Sequence, residues 1–470
     1  MKKDNYFPVS IQIEKFSSKG FGVGLAKKTP TSMPTKTSVP GAIPGDVIIA
    51  EIGPKRKGSY VGKLLEVSTA SKDRREPVCL HASSCGGCSW QFLQYEKQLT
   101  YKQSLIQDLF SPLFKGEFPS IIPCDLEWRY RNKMEYTFSQ NKAGDKFLGL
   151  MIAGSKGRVE TLKECHLCPE HFIQILEAVK AWWEESSLLA FHGIREEGSL
   201  RTLTVREGKR TDQTMVILTV SGNPEYALTK DQLQSFVSAV LRAHGGKTVS
   251  IFLRVQQAIK GQPTQFFEMH LSGPDHIQEE LQITSKGFVR NYLFKISPTA
   301  FFQPNTTQAE KLYSKALEIA GDRPRKLVLD LYAGTATLGM VFAPFAEKVI
   351  AVELNPYAVF DAEVNKEINQ IDNLQVLKGD VGAVLAELNI KEPDLIILDP
   401  PRTGLLLQAL ELVVSTNPQE ILYISCAPKE QARDCLLFEQ AGYEIVSLQP
   451  FDQFPHTVHI ENIVLLRRKL

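Results

Sequence analysis

The feature that most constrains this chain is the rhythm of its C-terminal part. From about Lys326, apolar segments recur with connections of helix length between most of them: KLVLDLYAG, KVIAVELN, LQVLKGD, DLIILDPP, ILYISCAP, YEIVSLQP and NIVLLRR. Strands that need a crossover before the next one lie parallel, so the spacing predicts an α/β unit with helices on both faces of one sheet. The last two segments are joined too briefly for a crossover helix, which predicts an antiparallel pair. A sheet of this kind binds its ligand outside the carboxyl ends of the strands, near the point where strand order reverses. The residues at those ends are therefore the candidates for chemistry.

The first strand runs into LDLYAGTATLG, where Gly334 lets the backbone turn tightly into the next helix. The second ends at Glu353, 23 residues after Asp330, where an acid can accept both hydroxyls of a ribose. Asp380 closes the third strand in position to face an adenine, and Asp399 closes the fourth in DPPR. A dinucleotide site would favour G-x-G-x-x-G, whereas this loop offers only Gly334 and Gly339. A pyrophosphate would lack its backbone cradle, so a cofactor without phosphates fits better. The arrangement resembles the Rossmann-like methyltransferases, in which S-adenosylmethionine lies across these strand ends.

The fifth strand runs into ISCAP, which sets Cys426 at a strand end with Pro428 breaking the strand behind it. Free cysteine is among the most buried residue types, and an isolated thiol reads first as inert, as Cys435 does. Cys426 differs because FPHTVHIEN brings Glu461 in 35 residues later, with His459 and Glu461 on one face by alternation. A nucleophile and a carboxylate can converge there.

ISCAPKEQARD, DQFPHTVHIEN, FFQPN, LDLYAG and DPPR together resemble the RNA uridine-C5 methyltransferase family, which includes bacterial ribosomal and transfer RNA enzymes. The resemblance is strongest over residues 295–470 and extends over most of the chain. It implies that Cys426 is the nucleophile and Glu461 the general base, with Gln303, Tyr332, Glu353, Asp380 and Asp399 lining the methyl-donor site. Uracil C5 is a poor nucleophile, and thiolate addition at C6 makes an enolate whose C5 can attack a sulfonium methyl. A base must then take the C5 proton so that elimination frees the enzyme. The base must leave its stack to be reached, and Phe301 or Phe302 is expected to hold the flipped ring. This chain departs from the family at Ala333-Gly334, where Cys-Gly is common, and at Ala427, where Asn is common. Two other classes compete. One is an RNA cytosine-C5 methyltransferase, whose nucleophile usually stands in a Pro-Cys pair, whereas Ser425 precedes Cys426. The other is a noncatalytic RNA-binding or redox-sensing protein with a silent methyltransferase fold.

Cys79, Cys85 and Cys88 form a compact thiolate trio, and Gly86 and Gly87 leave room for a bulky inorganic core. Cys165 and Cys168 in KECHLCPEH are the candidates for a fourth ligand. Pairing Cys85/Cys88 with Cys165/Cys168 would give two C-x2-C knuckles for zinc, but 76 residues separate them. The family's iron–sulfur members carry three clustered cysteines and a distant fourth, a pattern that implies a [4Fe-4S] cluster on Cys79, Cys85, Cys88 and Cys165, with Cys168 as rival.

The first 75 residues hold fourteen Lys and Arg against six acids, while the remaining 395 hold 40 basic against 47 acidic residues. Such asymmetry predicts an N-terminal module that meets a polyanion. Its short β segments VSIQIEKF, FGVGLA, DVIIAEIG and YVGKLLEV suit a small barrel, and TPTSMPTKTSVPG between the second and third reads as an extended loop. VPGAIPGDVIIAEI resembles the TRAM domain, an OB-like barrel of RNA-modifying enzymes. Residues 76–175 add an amphipathic stretch (Phe92, Tyr95, Leu99, Tyr101, Leu105, Leu109) and WRYRNKMEYTFS, where Arg129, Arg131 and Lys133 alternate with apolar positions. The expected organisation is an OB-like β-barrel (TRAM) over 1–70, an α+β central domain with the cysteines over 76–290, and the Rossmann-like α/β catalytic domain over 291–470. At 43% hydrophobic residues, with no apolar run of ~18 residues and no signal peptide ahead of Asp4, the chain is expected to be a cytoplasmic, membrane-free monomer. Barrel and cluster together point to ribosomal RNA as partner, with transfer RNA as runner-up.

Overall fold

The computed structural model describes residues 6–469 except 30, 56, 156, 246, 247, 260 and 263. Lys2, Lys3, Asp4 and Arg56 of the basic N-terminal count lie outside the described residues.

Five strands close the N-terminal barrel: β1 (Phe7–Phe16), β2 (Gly22–Ala26), β3 (Thr35–Val39), β4 (Val47–Ile52) and β5 (Tyr60–Thr69), in the order β1-β2-β3-β5-β4. The segment expected to be an extended loop contains β3, and this corrects that expectation. TKTSV alternates with period two, burying Thr35, Thr37 and Val39 while pairing antiparallel with β2 and parallel with β5. β-branched Thr and Val suit a pleated, half-buried surface, and that preference overrides the loop-like composition. Buried Asp46 accepts from the backbone N–H groups of Ile43 and Ser71 and pairs with Arg74 at 2.6 Å, tying the barrel to the chain that leaves it.

Helix α1 (Tyr95–Phe110) buries Tyr95, Gln98, Lys102, Ile106 and Phe110, which share one helical face. The expected apolar stripe is thus displaced, and Leu105 is exposed. The central part has α2 (Glu170–Glu185) and α3 (Lys230–Ala243) packed together beside one sheet. That sheet contains β6 (Lys133–Gln140), β7 (Lys146–Met151), β8 (Val159–Thr161), β9 (Leu200–Gly208), β10 (Gln213–Ser221), β11 (Val249–Gln257) and β12 (Gln265–Ser272), in the order β12-β11-β10-β9-β6-β7-β8. Alternation at WRYRNKMEYTFS holds: Tyr130, Asn132, Met134, Tyr136 and Phe138 are buried, while Arg129, Arg131 and Lys133 are not.

The hairpin β13 (Ile277–Ser285) and β14 (Phe288–Ile296) follows. Its apolar face joins the core of the C-terminal sheet, and residue 290, the expected domain boundary, falls inside β14. The C-terminal part then runs α4 (Thr306–Ala320), β15 (Arg325–Leu331), α5 (Thr337–Phe342), β16 (Ala346–Glu353), α6 (Pro356–Ile368), β17 (Leu374–Lys378) and α7 (Val381–Leu388). It closes with β18 (Leu395–Leu398), α8 (Leu407–Ser415), β19 (Glu420–Ser425), α9 (Pro428–Gln440), β20 (Tyr443–Phe451) and β21 (Glu461–Arg468). The strand order is β17-β16-β15-β18-β19-β21-β20, parallel except for β21, which lies antiparallel to both β19 and β20. Order reverses between β15 and β18, which sets the ligand crevice at their carboxyl ends. Among the described residues no helix is long and apolar enough to cross a membrane.

Candidate functional site

A cavity of about 530 Å³ opens at that crevice, lined among others by Gln303, Tyr332, Asp399, Cys426 and Glu461. Register brings the last two together. Ser425 pairs with Asn462 across β19 and β21, so Cys426 leaves one strand where Glu461 begins the other. Gln431 of α9 locks this corner by donating to the carbonyls of Tyr423 (2.8 Å) and Asn462 (3.1 Å) and accepting from Asn462 Nδ2 (2.8 Å).

The loop after β15 is built on unusual backbone. Tyr332, Gly334 and Ala336 all have left-handed φ, at 63°, 56° and 56°. For a bulky residue such as Tyr332 that conformation is strained and persists only where the surroundings enforce it. Asp330 accepts from the Gly339 amide at 2.7 Å, and Glu353 Oε2 accepts from Gly334 N at 2.9 Å. Glu353 Oε1 accepts from Asn355 N at 2.7 Å, so both oxygens brace backbone, and neither Glu353 nor Asp380 lines the cavity. Asp380 caps α7 through Ala383 N at 3.2 Å. The expected ribose and adenine acids therefore stand beside the crevice, at the ends of their strands, and outside the cavity itself.

On the opposite wall, Asn305 caps α4, and Asn132 Nδ2 donates to Gln303 O at 2.9 Å, holding FFQPN between the two parts of the molecule. Phe301 is 65% exposed at the rim, while Phe302 is buried against Phe294 at 5.5 Å. Both line the cavity.

Burial dominates the electrostatics. It pushes the Cys426 thiol up to about 11, with Glu461 and Asp399 adding to the rise and Arg402 opposing it. Burial alone moves Asp399 up to about 7, and burial with the charges of Asp399 and Glu353 moves Asp330 to about 7. Glu461 is raised well above the usual carboxylate range by burial and Asp399. His459 drops to about 4 through burial and the cations Arg402, Lys102 and Arg131, so its imidazole is neutral at physiological pH.

Arg402, Tyr313 and Arg131 were not singled out from sequence as site residues, yet all three line the cavity. Arg402 stood inside the quoted DPPR motif. Tyr313 projects from α4, whose apolar pattern reads as ordinary core. His459 lines the cavity as alternation with Glu461 suggested, although it precedes β21.

The segment carrying His459 is anchored from α1. Buried Lys102 Nζ donates to Asp452 Oδ1 at 2.6 Å and to Phe454 O at 3.2 Å, and Gln98 accepts from His456 N at 2.8 Å. His456, also left-handed at φ 64°, stacks on Trp128 at 3.8 Å.

Cys79, Cys85, Cys88 and Cys165 all line a second, small cavity of about 20 Å³. Cys168 does not; its thiol is buried 3.7 Å from the Tyr136 hydroxyl. Among the described residues no group of three or more His, Cys, Asp or Glu side chains is arranged to hold a metal ion. Pro123-Cys124 is the chain's one Pro-Cys pair and bears on the cytosine reading. Cys124 is buried, bonded to Asn305 Nδ2 at 3.4 Å, and lies outside the lining of the main cavity.

A family model of tRNA (uracil-5-)-methyltransferases matches residues 268–469. An uncharacterised RNA methyltransferase of Protochlamydia amoebophila is 47% identical over 91% of this chain and 99% of its own. Another, from Caldanaerobacter subterraneus subsp. tengcongensis, is 34% identical over 98% of both chains. Among solved structures, the tRNA (uracil-54, C5)-methyltransferase of Pyrococcus abyssi, in complex with S-adenosyl-L-homocysteine, aligns with a TM-score of 0.70 and 25% identity. That alignment covers 97% of this chain and 100% of the other.

Proposed function

Since this chain belongs to the uracil-C5 family of RNA methyltransferases and uses S-adenosylmethionine, we propose that it methylates C5 of a uridine in 23S ribosomal RNA through a covalent Cys426–C6 adduct. The observation that carries this reading is the pairing of Ser425 with Asn462, which sets a thiol and a carboxylate side by side in one cavity. Cys426 adds through Sγ to C6, its proton passing to solvent as it attacks and the ring's electron pair moving to the C5–C4–O4 enolate, because its surroundings disfavour the free thiolate. Arg402 is the cation that opposes this penalty. Glu461 takes the proton from C5 after methylation, and its raised affinity for protons suits a base that must hold one in a buried site. Phe301, at the rim, stacks on the extruded ring, with Phe302 behind it.

The donor brings an electrophilic methyl group on a sulfonium. Buried Asp330 and half-buried Asp399, with Gln303 and the strained Tyr332 loop, fit a cationic ligand without phosphates. Glu353 and Asp380 keep lone pairs free for ribose and adenine beyond their backbone bonds.

The barrel, with its basic excess, acts as a TRAM-type RNA-binding module in this cytoplasmic enzyme. Cys79, Cys85, Cys88 and Cys165 would hold a [4Fe-4S] cluster. In support, the four cysteines line one cavity, as the ligands of a single group must. The reaction needs no electron, so the cluster would order the loops around it.

A second reading, transfer RNA as substrate, is favoured by the name of the family model and by the Pyrococcus tRNA enzyme. That enzyme's match covers 97% of this chain, so overall architecture does not by itself separate the two substrates. Mass-spectrometric mapping of 5-methyluridine in ribosomal and transfer RNA from cells with and without the gene decides. Loss of the modification from 23S RNA is expected, loss from transfer RNA alone selects the second reading, and no loss in either removes both.

A further inference from the structure

His459 lines two cavities. One is the reacting cavity and the other, also about 530 Å³, opens between the barrel, the cysteine loop and the β7–β8 turn. We propose that the second cavity seats the nucleotide adjacent in the RNA chain to the methylated uridine, so that the enzyme reads a two-nucleotide step with His459 as the divider. This rests on the reading of the Cys426 cavity as the uridine site.

The second cavity is preformed by backbone. Trp90 Nε1 donates to Gly20 O at 3.1 Å, seating the β1–β2 turn of the barrel on the cysteine loop. A Cβ at Gly20 would stand 2.3 Å from Val458 Cγ1, so the turn packs directly beside the His459 segment. The cysteine loop pairs in turn with the end of β7: Gly86 N donates to Met151 O at 2.8 Å and Ala153 N to Ser84 O at 2.8 Å. A Cβ at Gly86 would meet that same Met151 oxygen at 2.8 Å, which is why the wall can form only with glycine there.

Its chemistry suits a nucleotide. Lys19, exposed on the barrel turn, offers a cation for phosphate, and Phe21 and the 40% exposed Met151 offer apolar faces for a base. The size falls in the range of small-ligand sites of roughly 300–1,000 Å³. Continuity decides the occupant. A uridine flipped into the reacting cavity stays covalently joined to its neighbours, and a cavity one side chain away lies in the path of the chain. The barrel wall also belongs to the basic part of the sequence, as contact with a polyanion requires.

The test begins with total RNA from cells lacking the gene, methylated by the full-length enzyme and mapped for 5-methyluridine, followed by a synthetic oligoribonucleotide spanning the mapped uridine. An abasic residue is placed immediately 5′ or 3′ of that uridine. With wild type, one of the two substitutions should raise KM for RNA about tenfold while kcat at saturating RNA stays within about twofold, the size expected for one lost stacking contact. Met151→Trp, which fills the cavity, should raise KM similarly on intact RNA and remove the further penalty of the abasic residue, since two changes to one contact do not add. Lys19→Ala, on an exposed turn, repeats the KM measurement should Met151→Trp not fold. Wild type that methylates the oligonucleotide with indifference to both abasic neighbours overturns the proposal alone. Wild type that makes no 5-methyluridine overturns the uridine reading as well.

Discussion

The molecule contains two sites built around cysteine, and their contrast teaches more than either alone. Cys426 stands at the end of β19, half-buried, facing a cavity of about 530 Å³ with Glu461, Asp399 and Arg402 around it. Cys79, Cys85, Cys88 and Cys165 come from loops and enclose about 20 Å³ with Leu150, Leu162 and Leu167. Burial raises the thiol pKa to about 11 at Cys426 and about 12 at Cys85, whereas a hydrogen bond with the Cys168 thiol draws Cys165 down to about 7. Proton affinity therefore varies within the second site and does not by itself separate the two. What distinguishes them is what the sulfur faces: an open cavity shared with a carboxylate and an arginine in one, other cysteines in the other.

The largest effect should come from exchanging roles at the extremes of this contrast. Cys426→Ala should lower kcat on the order of 10⁴-fold or more, with an unchanged melting temperature, because the lost group acts in the reaction and little packing depends on it. Cys88→Ser should do the reverse, losing iron and several degrees of melting temperature while a measurable fraction of turnover remains. If Cys88→Ser removed activity as completely as Cys426→Ala in a fully folded protein, the division between reacting and structural thiols would break. Next in size, Glu461→Gln keeps shape and removes the base, so kcat should fall roughly 10²- to 10⁴-fold and a methylated RNA adduct should accumulate on denaturing gels.

A smaller effect sharpens the electrostatic half of the comparison. Asp330 and Asp399, both near 7, bind protons more readily folded than unfolded, so they weaken folding as pH rises from about 4 through about 7, with no further change above that. The same ionisation favours a cationic ligand. Affinity for S-adenosylmethionine should rise several-fold between about pH 6 and 8 by calorimetry, and affinity for the uncharged-sulfur product should change less. Equal pH profiles for the two ligands would remove these carboxylates from the sulfonium's surroundings.

Much of the main cavity's lining was legible because apolar runs stop at strand ends on Asp330, Asp399 or Cys426, where topology converts position into proximity. What was not legible depends on partners distant in sequence. Gln98 and Lys102 lie on the buried face of α1, where an apolar stripe was expected, because His456 and Asp452, some 350 residues away, complete their bonds. Tyr313 faces the cavity only because α4 packs beside β21, which its helical pattern cannot announce. β3 hid in a Thr-, Ser- and Pro-rich segment whose period-two pattern outweighed its composition.

The central claim, that Cys426 is the sulfur that bonds to uracil, is tested most directly by trapping. RNA carrying 5-fluorouridine should form a stable adduct in the presence of S-adenosylmethionine, since fluorine cannot leave C5 as a cation. Protease digestion and mass spectrometry should then find the modified nucleotide on the peptide containing Cys426, and on no other cysteine. An adduct on a different residue, or efficient methylation of ordinary RNA with no adduct on the fluorinated one, would contradict the account.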